Sequence, residues 1–170
     1  MTTMVVSSSK AVFSATSDIT SNIATSGTVS LLAHNFTGNK PIGTIATYLA
    51  PGQSTPDGRA ELYNTGNLPV KLYMYLDGVT GTCDKTWLTV QTGYAGGNET
   101  QRTVTSQLIP SLTGSSNRVE VTGNPPFATL GPNISQVIHQ YASLDSSADN
   151  SYMGTSCSWT EVFVAESVTP

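Results

Sequence analysis

The sequence predicts an all-β fold, a jelly-roll-like β-sandwich of about eight or nine strands. Three observations carry that expectation. The 15 Gly and 9 Pro punctuate the chain every few residues, and no long window between them keeps a 3.6-residue apolar period. Val, Ile, Thr and Tyr, the residues that suit a pleated half-buried surface, recur in short alternating runs. Those runs are separated by turn chemistry at sandwich-like spacing: Pro51-Gly52, Pro56-Asp57-Gly58, Asn64-Thr65-Gly66-Asn67, Asp77-Gly78, Gly96-Gly97-Asn98, Gly123-Asn124 and Gly131-Pro132-Asn133.

In chain order, strands are expected at Thr28–Ala33, Thr44–Leu49 and Arg59–Asn64. The clearest is Val70–Asp77, with Val70, Leu72, Met74 and Leu76 on one face and Lys71, Tyr73, Tyr75 and Asp77 on the other. Thr86–Thr92, Thr100–Leu108 and Arg118–Thr122 follow. Ile134–Leu144 places Ile134, Ile138, Ala142 and Leu144 on one face interrupted by Gln136 and Gln140, which predicts a strand wetter near its middle. Ser156–Glu166 carries Cys157, Trp159 and Phe163 on one side and Val162 and Val164 on the other, which predicts cover on both faces. The N-terminal Met4-Val5-Val6 and Ala11-Val12-Phe13 are apolar and strand-forming, yet no local partner or tight turn accompanies them.

A chain of 170 residues fits one domain. Charged residues make up 11%, against about 25% in an average soluble protein, while 46 residues are Ser or Thr. The β-branched and aromatic content argues against disorder. With net charge −4 and no basic run, the chain offers neither a phosphate-tracking surface nor a polybasic membrane patch, so nucleic acid is not an expected partner. No apolar stretch is long enough for a membrane-spanning segment, and Met1–Val6 lacks the apolar core of a signal peptide, so the chain reads as a mature form with any signal peptide removed, or as a soluble one.

Cys83 and Cys157 admit two readings, a disulfide or two separate buried thiols. Both lie at ends of β-like runs in a chain of extracellular composition, which favours the disulfide, and so long a loop would stabilise by roughly 4 kcal/mol.

Catalytic chemistry is poorly supplied. His34 and His139 lack the spacing of a zinc helix, and neither a Gly-x-Ser-x-Gly elbow nor a phosphate loop is present. His139 reads as a sheet histidine held by a partner. Asp145-Ser146-Ser147-Ala148-Asp149-Asn150 offers oxygen ligands without the spacing of a calcium loop, and reads as an acidic turn. No enzyme, cofactor or metal is expected. Three N-glycosylation sequons begin at Asn35, Asn98 and Asn133, about the number that ten Asn residues among so many Ser and Thr generate by chance.

Several stretches, in order, resemble the TasA/camelysin family of extracellular fibre proteins, which includes the related archaeal bundling pilins. Ala11-Val12-Phe13-Ser14-Ala15-Thr16-Ser17-Asp18 and Thr25-Ser26-Gly27-Thr28-Val29-Ser30-Leu31 resemble the start of the mature family members. Leu49-Ala50-Pro51-Gly52-Gln53-Ser54 and Asn64-Thr65-Gly66-Asn67-Leu68-Pro69-Val70-Lys71-Leu72 are similar to the central block, and Leu144-Asp145 through Asn150-Ser151-Tyr152-Met153-Gly154 to the last. Ala15 in place of the usual Asp, and the two cysteines, depart from the pattern.

The resemblance implies an exported structural subunit of a cell-surface filament, a pilus or biofilm-matrix fibre, with neighbouring subunits of the same fibre, and neighbouring filaments in bundles, as its partners. Residues 1–15 would be the donor segment and 16–170 the sandwich. Met4, Val5, Val6, Ala11, Val12 and Phe13 would complete a sheet of the next subunit. Burying Val5, Val6, Val12 and Phe13 would give on the order of 6–12 kcal/mol before ordering costs. Such a head-to-tail contact does not close on itself and propagates. The alternatives are a secreted monomeric adhesin or carbohydrate-binding sandwich displaying Tyr73, Tyr75 and Tyr94, and intramolecular pairing of Val12 and Phe13.

Overall fold

The computed structural model describes residues 14–18, 24–26, 29–35, 44–45, 49–94, 102–122, 129–152 and 155–168. Among them are eleven strands: β1 Ser14–Asp18, β2 Ala24–Ser26, β3 Val29–Asn35, β4 Thr44–Ile45, β5 Gly58–Asn64, β6 Val70–Gly81, β7 Thr86–Tyr94, β8 Arg102–Leu108, β9 Val119–Glu120, β10 Ser135–Leu144 and β11 Cys157–Ser167. They form two antiparallel sheets. One runs β1-β11-β6-β9, with β4 also paired to β11; the other runs β2-β3-β5-β10-β7-β8. The fold is an all-β sandwich.

The core lies between the sheets because the alternation of each central strand turns one set of side chains inward. From β6 come Val70, Leu72, Met74 and Leu76, all without exposed surface, while Lys71, Tyr73 and Tyr75 face out. Leu62, Leu88, Val90 and Ile138 face them from the six-stranded sheet, and Phe163 and Trp159 come from β11. Each such side chain contributes roughly 1.5–3 kcal/mol by leaving water. On the opposite face of β11, Val162 and Val164 are also buried, in register with Tyr75 and Tyr73, so this strand is covered on both sides.

Four expectations need correction. Asp77-Gly78 is not a turn: β6 runs on to Gly81, and Gly78 adopts φ 57° where the pairing with β11 shifts between Ser158 and Thr160. The glycine makes a bulge, which bends a strand without ending it. The middle of β10 is its driest part, with residues 136–140 all buried, because Gln136 and Gln140 bring their own hydrogen-bond partners inside. Ile134 falls before β10 and is exposed. The strand expected at Arg118–Thr122 shrinks to β9, since the Thr122 hydroxyl accepts the Leu72 N–H at 2.6 Å in place of a ladder bond.

Ser14 and Ala15 lie within β1, which pairs with β11 of the same chain from Ser14 opposite Glu166 to Asp18 opposite Val162. The described strands begin at Ser14. Met4, Val5, Val6, Ala11, Val12 and Phe13 lie outside the described residues.

Candidate functional site

Cys83 and Cys157 form a disulfide across 74 residues of sequence, with Cα atoms 5.1 Å apart. The approach is set locally. Gly81 is the register partner of Cys157 and sits at φ 87°, and a Cβ on it would come within 2.1 Å of the Ser156 carbonyl oxygen. Only glycine lets β6 and β11 meet closely enough there for the bond to close.

Asn64 plugs the end of the sandwich. It is wholly buried at the end of β5, and its Nδ2 donates to the carbonyls of Leu68 (2.8 Å) and Leu130 (3.0 Å). Its Oδ1 accepts the Gly66 N–H at 3.0 Å, and its backbone exchanges bonds with Asn133 and Ile134. One amide thus fixes the turn before β6 and the turn before β10. The asparagine read from sequence as turn chemistry is also a core residue.

Two sheets meet in a second buried polar contact. Gln140 of β10 donates from Nε2 to Oε2 of Glu161 on β11 at 2.6 Å, and the Trp159 Nε1 lies 3.4 Å from Oε1. Burial of Glu161 pushes its carboxyl up to about 7, against the pull of those two donors. Sequence periodicity carried a signal for this pair: Gln140 and Glu161 each interrupt a largely apolar inward face.

The histidine and the acidic turn take structural roles. His139 has no exposed surface, and its Nδ1 lies 2.9 Å from Asp57 Oδ2, which also accepts the Arg59 Nε at 2.6 Å. A histidine so enclosed cannot meet a substrate. Asp145 accepts the Ser147 N–H and the Trp87 Nε1–H, each at 2.8 Å, and its carboxyl is held down at about 2, chiefly by Ser147. Asp149 is likewise lowered by Ser151. Both carboxylates are engaged by their own turns. Among the described residues, no three His, Cys, Asp or Glu side chains converge on a metal-holding site, and no helix is long and apolar enough to cross a membrane.

Of the tyrosines considered for a ligand surface, Tyr73 has the Arg118 guanidinium 4.5 Å from its ring centroid, and Arg118 is paired with Glu166. Tyr75 is half-buried opposite Val162, and the Tyr94 side chain lies outside the described residues. Of the sequons, Asn133 is exposed in a turn, Asn35 ends β3 opposite Ala60, and Asn98 lies outside the described residues.

The remaining candidate is a sheet edge. β8 ends the six-stranded sheet, and among the described residues it pairs with β7 alone. Its seven residues carry one charge, Arg102 at the start, and no proline. The edge is lightly guarded: a register shift between Val90 and Gln91 leaves Val104 bulged, and Ser106 bonds across to Thr89 at 2.8 Å. An edge strand with unmet N–H and C=O groups is a template for another strand. No known family model, curated protein or solved structure matches this chain.

Proposed function

We propose that this protein is a structural subunit of an extracellular filament that polymerises head to tail, the N-terminal segment of one copy adding as a strand to the β8 edge of the next. The observation that carries the reading is the seven-residue β8, which among the described residues has a partner on one side, in a chain whose residues 1–13 hold two apolar strand-forming clusters. The opposite end of the same sheet is the three-residue β2, a poorer template. β1, the outer strand of the other sheet, continues directly from the donor segment of its own chain.

Strand addition gives about 0.5–1.5 kcal/mol net for each main-chain hydrogen bond, and the valines and Phe13 of the segment supply the apolar burial. Thirteen extended residues span on the order of 40 Å, enough to reach a neighbouring copy. A low-charge, Ser/Thr-rich surface suits packing against copies of itself. The bridge between Cys83 and Cys157 suits a subunit working outside the cell.

The test is competition. A synthetic peptide of residues 1–13, added in excess to polymerising protein, is expected to slow or stop filament growth by filling the edge. Growth unaffected by the peptide would contradict the reading.

A further inference from the structure

We propose that Asn133 is the attachment site of an N-linked glycan. The sequon Asn133-Ile134-Ser135 carries no weight as a motif, because composition alone produces its like. Its placement does. The Ile134 N–H donates to the Gly131 carbonyl at 3.3 Å, closing a type II turn with Pro132 and then Asn133 at the two central positions. Asn133 has φ 57° and is the one non-glycine residue with positive φ among those described. That conformation is one asparagine tolerates.

The turn tip presents the amide to solvent. Pro132, Asn133 and Ile134 are all exposed. The backbone N–H of Asn133 is held by the Asn64 carbonyl at 2.8 Å, and Oδ1 lies 3.5 Å from the Tyr63 hydroxyl. Nδ2, the atom a sugar would join, makes no hydrogen bond among the described residues. Asn35 differs: it is the last residue of β3 and stands in a ladder opposite Ala60 of β5.

A second observation points to a covering group. Ile134 is 42% exposed, the one large hydrophobic side chain so open among the described residues, and it is the middle residue of the sequon. Ser135, which completes the sequon, opens β10 in register with Tyr63, so the half-buried tyrosine stands beside the same tip. An isoleucine and a phenol flanking an exposed amide offer an apolar floor to a sugar ring, and a glycan there would shield surface otherwise left to water.

The modification requires a lipid-linked oligosaccharide and a membrane transferase of the export route. Asn133 Nδ2 attacks the anomeric carbon, the new C–N bond forms, and the bond from that carbon to the lipid phosphate oxygen breaks. The lipid phosphate leaves with the electron pair, and the amide proton passes to base. The proposal shares with the filament reading only the need for export.

The experiment is to secrete the full chain, behind a cleavable leader, from an N-glycosylating host, and to map glycopeptides by mass spectrometry alongside Asn133→Gln. Glycan on the peptide containing Asn133, lost in Asn133→Gln with the disulfide still formed, is the expected result. Folded, secreted protein with Asn133 unmodified, or with sugar at Asn35 or Asn98 alone, would overturn the proposal. Filaments are scored on the same samples: occupied Asn133 in protein that never polymerises would defeat the filament reading and leave this one standing.

Discussion

Gln140 and Glu161 hydrogen-bond to each other at 2.6 Å across the interior of the sandwich, one from each sheet. A carboxyl buried there is stable in its neutral form, and among the described residues no cation pairs with its ionised form. Its folded-state value of about 7, against a usual 4.5, makes the contact a pH-dependent one.

The sign follows from linkage. Between pH 4.5 and 7 the unfolded chain gives up the Glu161 proton and the folded chain keeps it, so stability is fully present below 4.5 and is lost as pH rises through 7. The loss is on the order of 3 kcal/mol. Denaturant midpoints across this range should fall for the native chain, and Glu161→Gln should flatten the profile. Equal slopes for the two proteins would sink the assignment. Further down, stability should fall again as pH drops from about 3.8 through 2, where Asp145 takes up its proton.

Asn64→Ala should cost roughly 2–4 kcal/mol, because it strips partners from the buried Leu130 carbonyl, the part-buried Leu68 carbonyl and one N–H at once. Urea unfolding measures it, and a change below 1 kcal/mol would show that water replaces the amide.

Gly81→Ala should be at least as damaging as an ordinary core truncation. It combines a positive φ with a Cβ driven into the Ser156 carbonyl, and backbone strain of this kind alone costs about 1–3 kcal/mol. Wild-type stability in this variant would mean that β6 and β11 part easily at their ends.

Replacing both cysteines with Ser should lower stability by roughly 4 kcal/mol, given the 74-residue separation. Equilibrium unfolding under non-reducing conditions is the measure, and an unchanged midpoint would contradict the disulfide's structural role.

The sequence was most legible where period and burial agree. Val70 to Leu76 alternates in sequence and in the sandwich, and the double-sided cover of β11 follows from its apolar residues at both parities. It was least legible where a side chain takes a backbone role, as Thr122 does for Leu72, or where a polar residue brings its partner indoors, as Gln140 and Glu161 do. Those contacts depend on strands distant in sequence, which no local window contains. Asp77-Gly78 misled because one dipeptide serves both hairpin turns and glycine bulges, and only the opposing strand decides between them. The disulfide needed the fold to bring Gly81 and Cys157 into register. The proposed donor residues rest on a resemblance and an orphan apolar segment, and the β8 edge emerged only with sheet order.

The central claim is that residues 1–13 link one subunit to the next. Electron microscopy of purified full-length chain beside a chain starting at Ser14 tests it most directly, with circular dichroism to show that both are folded. Filaments from the full chain and folded monomers from the shortened one are the predicted result. Filaments from the shortened chain, or a full chain that stays monomeric, would contradict it.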